Sequence, residues 1–261
     1  MEKILDGIYA NLDYFILMFL RVSALLFSSP IFGRRSLPST LKIGFCLLVT
    51  YVIFSSDPAV SAVAYGSILE FILLCVKELL FGLVLGWVTT LFFSLVQTAG
   101  QVMDMQMGFG MVNVYDVQNN ISVPVTGNLL NVILLVAFFG VNAHLRLINI
   151  IHATFSHIPP GEVALNPAIG LVALEVFVLS FLLAVNVAMP LIASGLLGEV
   201  AMGFIVRAIP QMNVFVIGIP LKILLGFMML LLMMPIFLSF SNVIFDRMFS
   251  SIDQMIAGLA G

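Results

Sequence analysis

The stretch "AVSAVAYGSILEFILLCVKELLFGLVLGWVTTLFFSLVQTA" occupies Ala59–Ala99, and its reading decides the fold. It holds no proline and no turn dipeptide after Pro58. Its apolar residues run for about twice the 20 or so that a helix needs to cross a bilayer. Glu70, Lys77 and Glu78 interrupt it, and each is costly where it faces lipid. Two spans meeting at a charged turn near Lys77–Glu78 would account for this. So would one long helix that leaves the hydrocarbon and is buried against protein. The absence of turn residues favours the second reading.

The rest of the chain is as apolar. Of its 261 residues 62% are apolar and 9% charged, with a mean hydropathy of +1.20. Soluble domains carry roughly 25% charged residues, so this chain has too few polar side chains to cover a core in water and belongs to the membrane class. The net charge of −3 is spread out, with no basic block. Neither nucleic-acid binding nor polybasic docking on lipid is expected. The opening "MEKILDGIYANLDYF" is acidic, Arg21 interrupts the first apolar run, and no small-residue cleavage site follows. A removed signal peptide is therefore not expected. Cys46 and Cys75 lie inside apolar runs and are read as buried free thiols.

Outward from Ala59–Ala99, further apolar stretches run at Tyr14–Phe32, Leu41–Phe54, Val123–Ile151, Ala168–Val206 and Val214–Phe245. Breaks fall at "GRRSLPS", "SSDP", a glycine-methionine segment, "HIPPGEVALNP" and "AIPQMN". Proline, glycine and serine are the punctuation of turns. Nothing alternates with a period of two, so the chain reads as all-α, one unit over residues 1–261, without internal repeat or soluble domain. Ala168–Val206 sets Glu175, Asn186, Pro190 and Glu199 in apolar sequence, and Pro190 is expected to kink or break its helix. Charges this deep face a neighbouring helix or a water-filled cavity, which implies a chain packed inside a larger helical assembly. Gly82 and Gly86 form a GxxxG pair and Ser194 and Gly198 a small-xxx-small pair, marks of close helix contact that name no partner.

Enzyme chemistry finds little support. His144, His152 and His157 lack metal-ligand spacing, and no nucleophile elbow, phosphate-binding loop or dinucleotide fingerprint occurs. No enzyme activity and no cofactor are expected. A proton-coupled transporter is the rival reading. Arg21, Glu70, Lys77, Glu78, Glu175 and Glu199 would form its relay, since ionisable groups at membrane depth are functional candidates by default. The alternative is that these charges pair with neighbouring helices and fix the geometry of assembly. Inverted-repeat symmetry, common in secondary transporters, is not visible. Arg34, Arg35 and Lys42 follow the first apolar run, and the positive-inside rule places that loop in the cytoplasm if insertion is simple.

"EVAMGFIVRAIPQMNVFVIGIPLK" at Glu199–Lys222 resembles the signature of the FliR family of flagellar type III export-gate proteins, whose injectisome counterpart is SctT. Glu199, Gly203, Arg207, Pro210, Gln211, Asn213, Gly218, Pro220 and Lys222 carry the likeness in one ungapped block. "FGVNAHLRLINIIHATFSHIPPG", with His144, Ser156 and Pro159, adds to it, as do Gly100, Gln101, Gly108 and Asp116. The likeness covers essentially the whole chain, though the first sixty residues match only in character.

The resemblance implies bent helical hairpins in a hetero-oligomeric gate. Several FliP-like and FliQ-like subunits would form the entrance of the export channel with this chain, in the inner membrane at the flagellar basal body. FlhB-like and FlhA-like components would lie beside it, and unfolded flagellar subunits would pass through. It also implies that Met105, Met107, Gly108, Phe109, Gly110 and Met111 form a plug in the channel. Flexible methionines suit a seal that reshapes, and an apolar ring blocks ions by dewetting. The plainer alternative is a linker that packs in the core. Glu199, Arg207, Pro210, Gln211, Asn213 and Lys222 would form a subunit contact, the charged ones pairing across chains. Against that, "AIPQMN" also reads as a simple helix break. Whether the system is flagellar or injectisome stays open on these residues.

Overall fold

The computed structural model describes residues 11–34, 36–56, 63–109, 124–164, 166–167, 169–211 and 213–260. Among them are seven α-helices and no strand: α1 Leu12–Ser28, α2 Ser39–Ser56, α3 Ile68–Gln106, α4 Val125–Gly140, α5 Ala143–His157, α6 Ile169–Ala208 and α7 Val214–Ala260. The all-α reading holds. α3 is one continuous helix of 39 residues, so the two-span alternative for Ala59–Ala99 falls. α2, α6 and most of α7 are long and apolar enough to cross a membrane, as is a fourth span if α4 and α5 are one broken pair.

Three boundaries differ from the sequence reading. The run Val123–Ile151 is interrupted at Val141–Asn142, where Asn142 adopts a left-handed φ of 56°. Asparagine tolerates that conformation better than most residues. Pro190 does not end α6, which runs through it for 40 residues. Helices in apolar surroundings tolerate proline where neighbouring groups take up the freed carbonyl. The last helix continues past Phe245 to Ala260. Met248, Phe249, Ile252, Met255 and Leu259 bury one stripe at helical spacing along it.

The chain divides into two compact units: Met1–Leu91 with Asn142–Phe177 and Arg247–Gly261, and Phe92–Val141 with Val178–Asp246. In the first, α1 packs on α2 and on the early part of α3. Gly82 and Gly86 make the second contact possible. A Cβ on Gly82 would collide with the carbonyl oxygen of Arg21, and one on Gly86 with the Ser28 hydroxyl. The GxxxG pair therefore finds its partner within the chain. Thr90 strengthens this crossing by donating to the Ser28 carbonyl at 2.7 Å. Cys46 is buried and Cys75 half-buried, both as free thiols.

In the second unit the late part of α3 crosses α4 at Gly100 and Gly127, where a Cβ on Gly100 would overlap the Cα of Gly127. Asn131 donates to the Phe93 carbonyl at 3.4 Å. Phe93, Phe138 and Phe245 form an edge-to-face row with centroids 5.7 and 5.4 Å apart, a favoured aromatic geometry.

Candidate functional site

The segment Gln101–Phe109 ends α3, and its own hydrogen bonds explain how. Gly108 has φ +84°, a conformation that costs most residues energy and glycine almost none. Its amide donates to the Met105 carbonyl at 3.2 Å and the Phe109 amide to the Asp104 carbonyl at 3.0 Å. That bond pair is the Schellman termination, which satisfies the last carbonyls of a helix. Gly108 is thus a helix stop. Gly110 and Met111, the last two of the six residues expected in the plug, lie outside the described residues.

Side chains then fasten this end to its neighbours within the second unit. Asp104, buried, accepts from the Thr126 amide at 3.2 and 3.4 Å. Thr126 lies in the first turn of α4, so Asp104 caps that helix from outside and meets the positive end of its dipole. Met107 is 1% exposed and lies against Gly226 of α7, where a Cβ would collide with its Cγ. The Thr126 hydroxyl is 3.8 Å from the Met107 sulfur. Gln106 rests similarly on Gly195 of α6, its Oε1 2.9 Å from where a Cβ would be. The void left beside Met107, Ser194 and Gly198 is only about 10 Å³, so the fit is close. Phe109 meets Phe227 edge to face at 5.7 Å.

The candidate plug therefore separates into two kinds of residue. Met105 is 74% exposed. Met107 is buried and Phe109 half-buried, both against α7. The bulk of Met107 is spent inside the chain because glycine and serine on α6 and α7 leave room for it. Asp104, Thr126, Gly195 and Gly226 escaped the sequence reading. The small-xxx-small pair Ser194–Gly198 pointed toward the α6 surface but not to its occupant.

Of Arg21, Glu70, Lys77, Glu78 and Glu175, charges the sequence sets in apolar runs, the chain itself buries Arg21 and Glu78, at 1% and 0% exposure. Arg21 grips Glu78 with two hydrogen bonds, Nε to Oε2 at 2.6 Å and Nη2 to Oε1 at 3.1 Å. Its Nη1 donates to the Thr154 and Ile158 carbonyls at 3.2 and 2.9 Å, at the C-terminus of α5. A cation is favoured there by the helix dipole. Phe81 and Phe155 lie 4.5 and 4.6 Å from the guanidinium, within cation–π range. Glu78 Oε1 also accepts from the Gly161 amide at 2.8 Å. Four segments of the first unit meet at one neutral pair.

The other three charges are not buried within this chain. Glu70 is exposed because it closes the start of α3. Its carboxylate accepts from the Gly66 amide at 2.7 Å, while its own amide donates to Ser67 Oγ at 3.3 Å. Ser67 thus caps α3, and the Glu70 carboxylate reaches back as in a capping box but one residue further, to Gly66. Glu175 is exposed and Lys77 half-exposed on the chain's surface.

Glu199 and Lys222 form an ion pair of 2.7 Å. It lies within the chain, and both side chains stay partly exposed. Arg207, Pro210, Gln211 and Asn213 are exposed at the turn from α6 to α7. There the Asn213 carbonyl accepts from Val216 at 3.2 Å and opens α7. Among the described residues no three His, Cys, Asp or Glu side chains gather to hold a metal ion.

Residues 12–248 match the family described as "Bacterial export proteins, family 1". The chain is 31% identical over 246 residues to the flagellar biosynthetic protein FliR of Bacillus subtilis (strain 168), covering 93% of this chain and 94% of that protein. It is also 31% identical over 240 residues to FliR of Escherichia coli (strain K12), covering 92% and 91%. FliR of Pectobacterium carotovorum subsp. carotovorum is 26% identical over 245 residues. A family match along nearly the whole chain and relatives of the same length leave one assignment: this all-helical membrane protein belongs to the FliR family of bacterial flagellar export proteins.

Proposed function

We propose that this chain is a structural, non-enzymatic subunit of the flagellar type III export gate. It joins FliP-like and FliQ-like subunits at the channel entrance in the inner membrane of the basal body, with FlhB-like and FlhA-like components beside it. Unfolded flagellar subunits are the cargo. The whole chain, 1–261, acts as one export-gate domain, and the segment from Met105 to Met111 contributes the seal of the closed pore.

The observation that carries the sealing role is the helix end at Gly108. α3 is stopped there by its own hydrogen bonds, and Asp104, Met107 and Phe109 fasten it to α4 and α7. A seal needs such a fixed base, since a plug held by the whole length of a floppy loop would not close reproducibly. Met107 and Phe109 serve as the base, while Met105, 74% exposed, supplies apolar surface to the lumen. Family membership along residues 12–248 supports the export role. The exposed charges Glu175 and Arg207 and the half-exposed Lys77 then meet neighbouring subunits, with Pro210, Gln211 and Asn213 at the same contact.

The test is coexpression with FliP-like and FliQ-like proteins, followed by purification in mild detergent. One discrete particle containing this chain is expected, and the chain alone should aggregate. Deleting residues 110–123 should leave the particle intact and make cells take up small ions or dyes. A stable, export-competent chain on its own would refute the gate. A particle as tight after the deletion as before would refute the seal.

A further inference from the structure

The loop from α1 to α2 and the start of α2 enclose a pocket of about 220 Å³ in the first unit. Phe27, Phe32, Leu37, Leu41 and Phe45 supply apolar walls, and Lys42 is its charged residue. Phe32 and Phe45 stack with centroids 5.3 Å apart. Gly33 folds the loop tightly over the end of α1: its amide donates to the Ser29 carbonyl at 2.7 Å, and a Cβ there would collide with the Phe27 carbonyl. The Gly33 carbonyl in turn accepts from Lys42 Nζ at 3.0 Å. One of the three ammonium donors is thereby used and the charge is held beside the pocket, with two donors left.

The setting narrows the ligand. α2 is long and apolar enough to cross a membrane, and Lys42 lies in its first turn, the depth at which lysines meet lipid headgroups. Leu41, Leu48 and Val52 are exposed and fall on one helical face at spacings of seven and four. They form an apolar track leading away from the pocket. Arg34, the residue after Gly33, is exposed and adds a second positive charge to the loop.

We propose that this pocket holds one membrane lipid with an anionic, phosphate-bearing headgroup. The phosphate accepts hydrogen bonds from Lys42, and Arg34 raises the local potential. One acyl chain enters between Phe27, Phe32 and Phe45 and continues along Leu48 and Val52. This is a site for a single lipid, distinct from a polybasic patch. A zwitterionic headgroup would set its own cation beside Lys42 and so binds less well.

The test uses the assembly in which the chain is extracted from membranes, stripped of lipid by detergent exchange. Dioleoylphosphatidylglycerol or dioleoylphosphatidylcholine is added at equal concentration, and bound lipid is counted by native mass spectrometry. One phosphatidylglycerol per copy of this chain is expected, retained about tenfold better than phosphatidylcholine, the scale of one like-charge contact between choline and Lys42 at partial burial. Lys42→Gln should abolish that preference, and Leu37→Trp, which fills the mouth from an exposed position, should lower binding of both lipids. Arg247→Gln, at an exposed cation of the same unit, should change neither. Inorganic phosphate at millimolar excess should fail to displace the lipid; displacement would mark a bare anion site and overturn the assignment. Equal retention of the two lipids by the parent would overturn it, as would an unchanged preference in a Lys42→Gln variant that elutes like the parent.

Discussion

Removing one member of the Arg21–Glu78 pair should damage the chain more than removing both. Glu78→Ala leaves the Arg21 guanidinium buried, with Nε and Nη2 stripped of their acceptor and the Gly161 amide without its own. Arg21→Met leaves a carboxylate at 0% exposure with only that amide. An uncompensated buried charge costs about 3–5 kcal/mol, and at 3 kcal/mol the folded-to-unfolded ratio falls by about 150-fold. The double variant Arg21→Met with Glu78→Leu leaves no charge behind. It still leaves the Gly161 amide and the Ile158 carbonyl without the partners they have now, while the Thr154 carbonyl keeps the Ile158 amide. The cost is about 1–3 kcal/mol per unsatisfied group, which the single variants also bear in part. The methionine and leucine regain apolar contact with Phe81 and Phe155, which now flank the guanidinium. The expected order of stability is parent, double variant, then either single variant. The assay heats the extracted assembly stepwise and measures how much of this chain remains in the native elution peak. Single costs that simply add in the double variant would refute the reasoning, because the loss would then come from packing and not from stranded charge.

The Met107 seat gives a size-swap test. Gly226→Ala should push Met107 out of place and cost about 1–3 kcal/mol as overpacking, and adding Met107→Ala should recover part of the loss in the same heating assay. Met107→Ala alone removes a buried side chain and should cost about 2–5 kcal/mol. Met105→Ala, at an exposed position, should stay within about 0.5 kcal/mol yet raise dye uptake if the seal is as proposed. Glu70→Gln should lower stability slightly through the cap and leave motility intact, whereas export lost from a fully assembled particle would favour a proton relay. Tyr65 donates to Asp13 at 2.6 Å, which raises its phenol pKa above the ordinary 10.0. That contribution is complete below pH 10.0 and is lost as pH rises through the raised value. Tyr65→Phe should remove this alkaline step from the stability profile.

Local chemistry was legible in the sequence wherever one segment decided it. The uninterrupted run after Pro58 gave a single α3, since nothing between Ile68 and Gln106 supplies a turn. Ser67 and Glu70 carry the S-x-x-E signature of a helix start, yet the apolar surroundings made Glu70 look like an intramembrane charge. Gly140 and Asn142 carried the signal for the α4–α5 break, hidden inside an apolar run. Pro190 misled in the other direction, because a proline's effect depends on neighbours that its own segment does not show. Pairings across the chain had no local pattern at all. Arg21 meets Glu78 57 positions away, and Met107 finds Gly226 only because α7 passes beside it. Gly82 and Gly86 announced a close contact but not that α1 fills it. Each of these is set by tertiary packing.

The way α3 ends bears on how such a protein tolerates change. Its terminal carbonyls at Asp104 and Met105 are satisfied by the amides of Gly108 and Phe109, so the helix asks nothing of the chain that follows. Residues added or removed beyond Phe109 break none of these bonds. A change of length there therefore leaves the end of α3 as it is. A library of insertions there should yield folded protein at nearly every length, while the same insertions one turn earlier, between Met103 and Met107, should not.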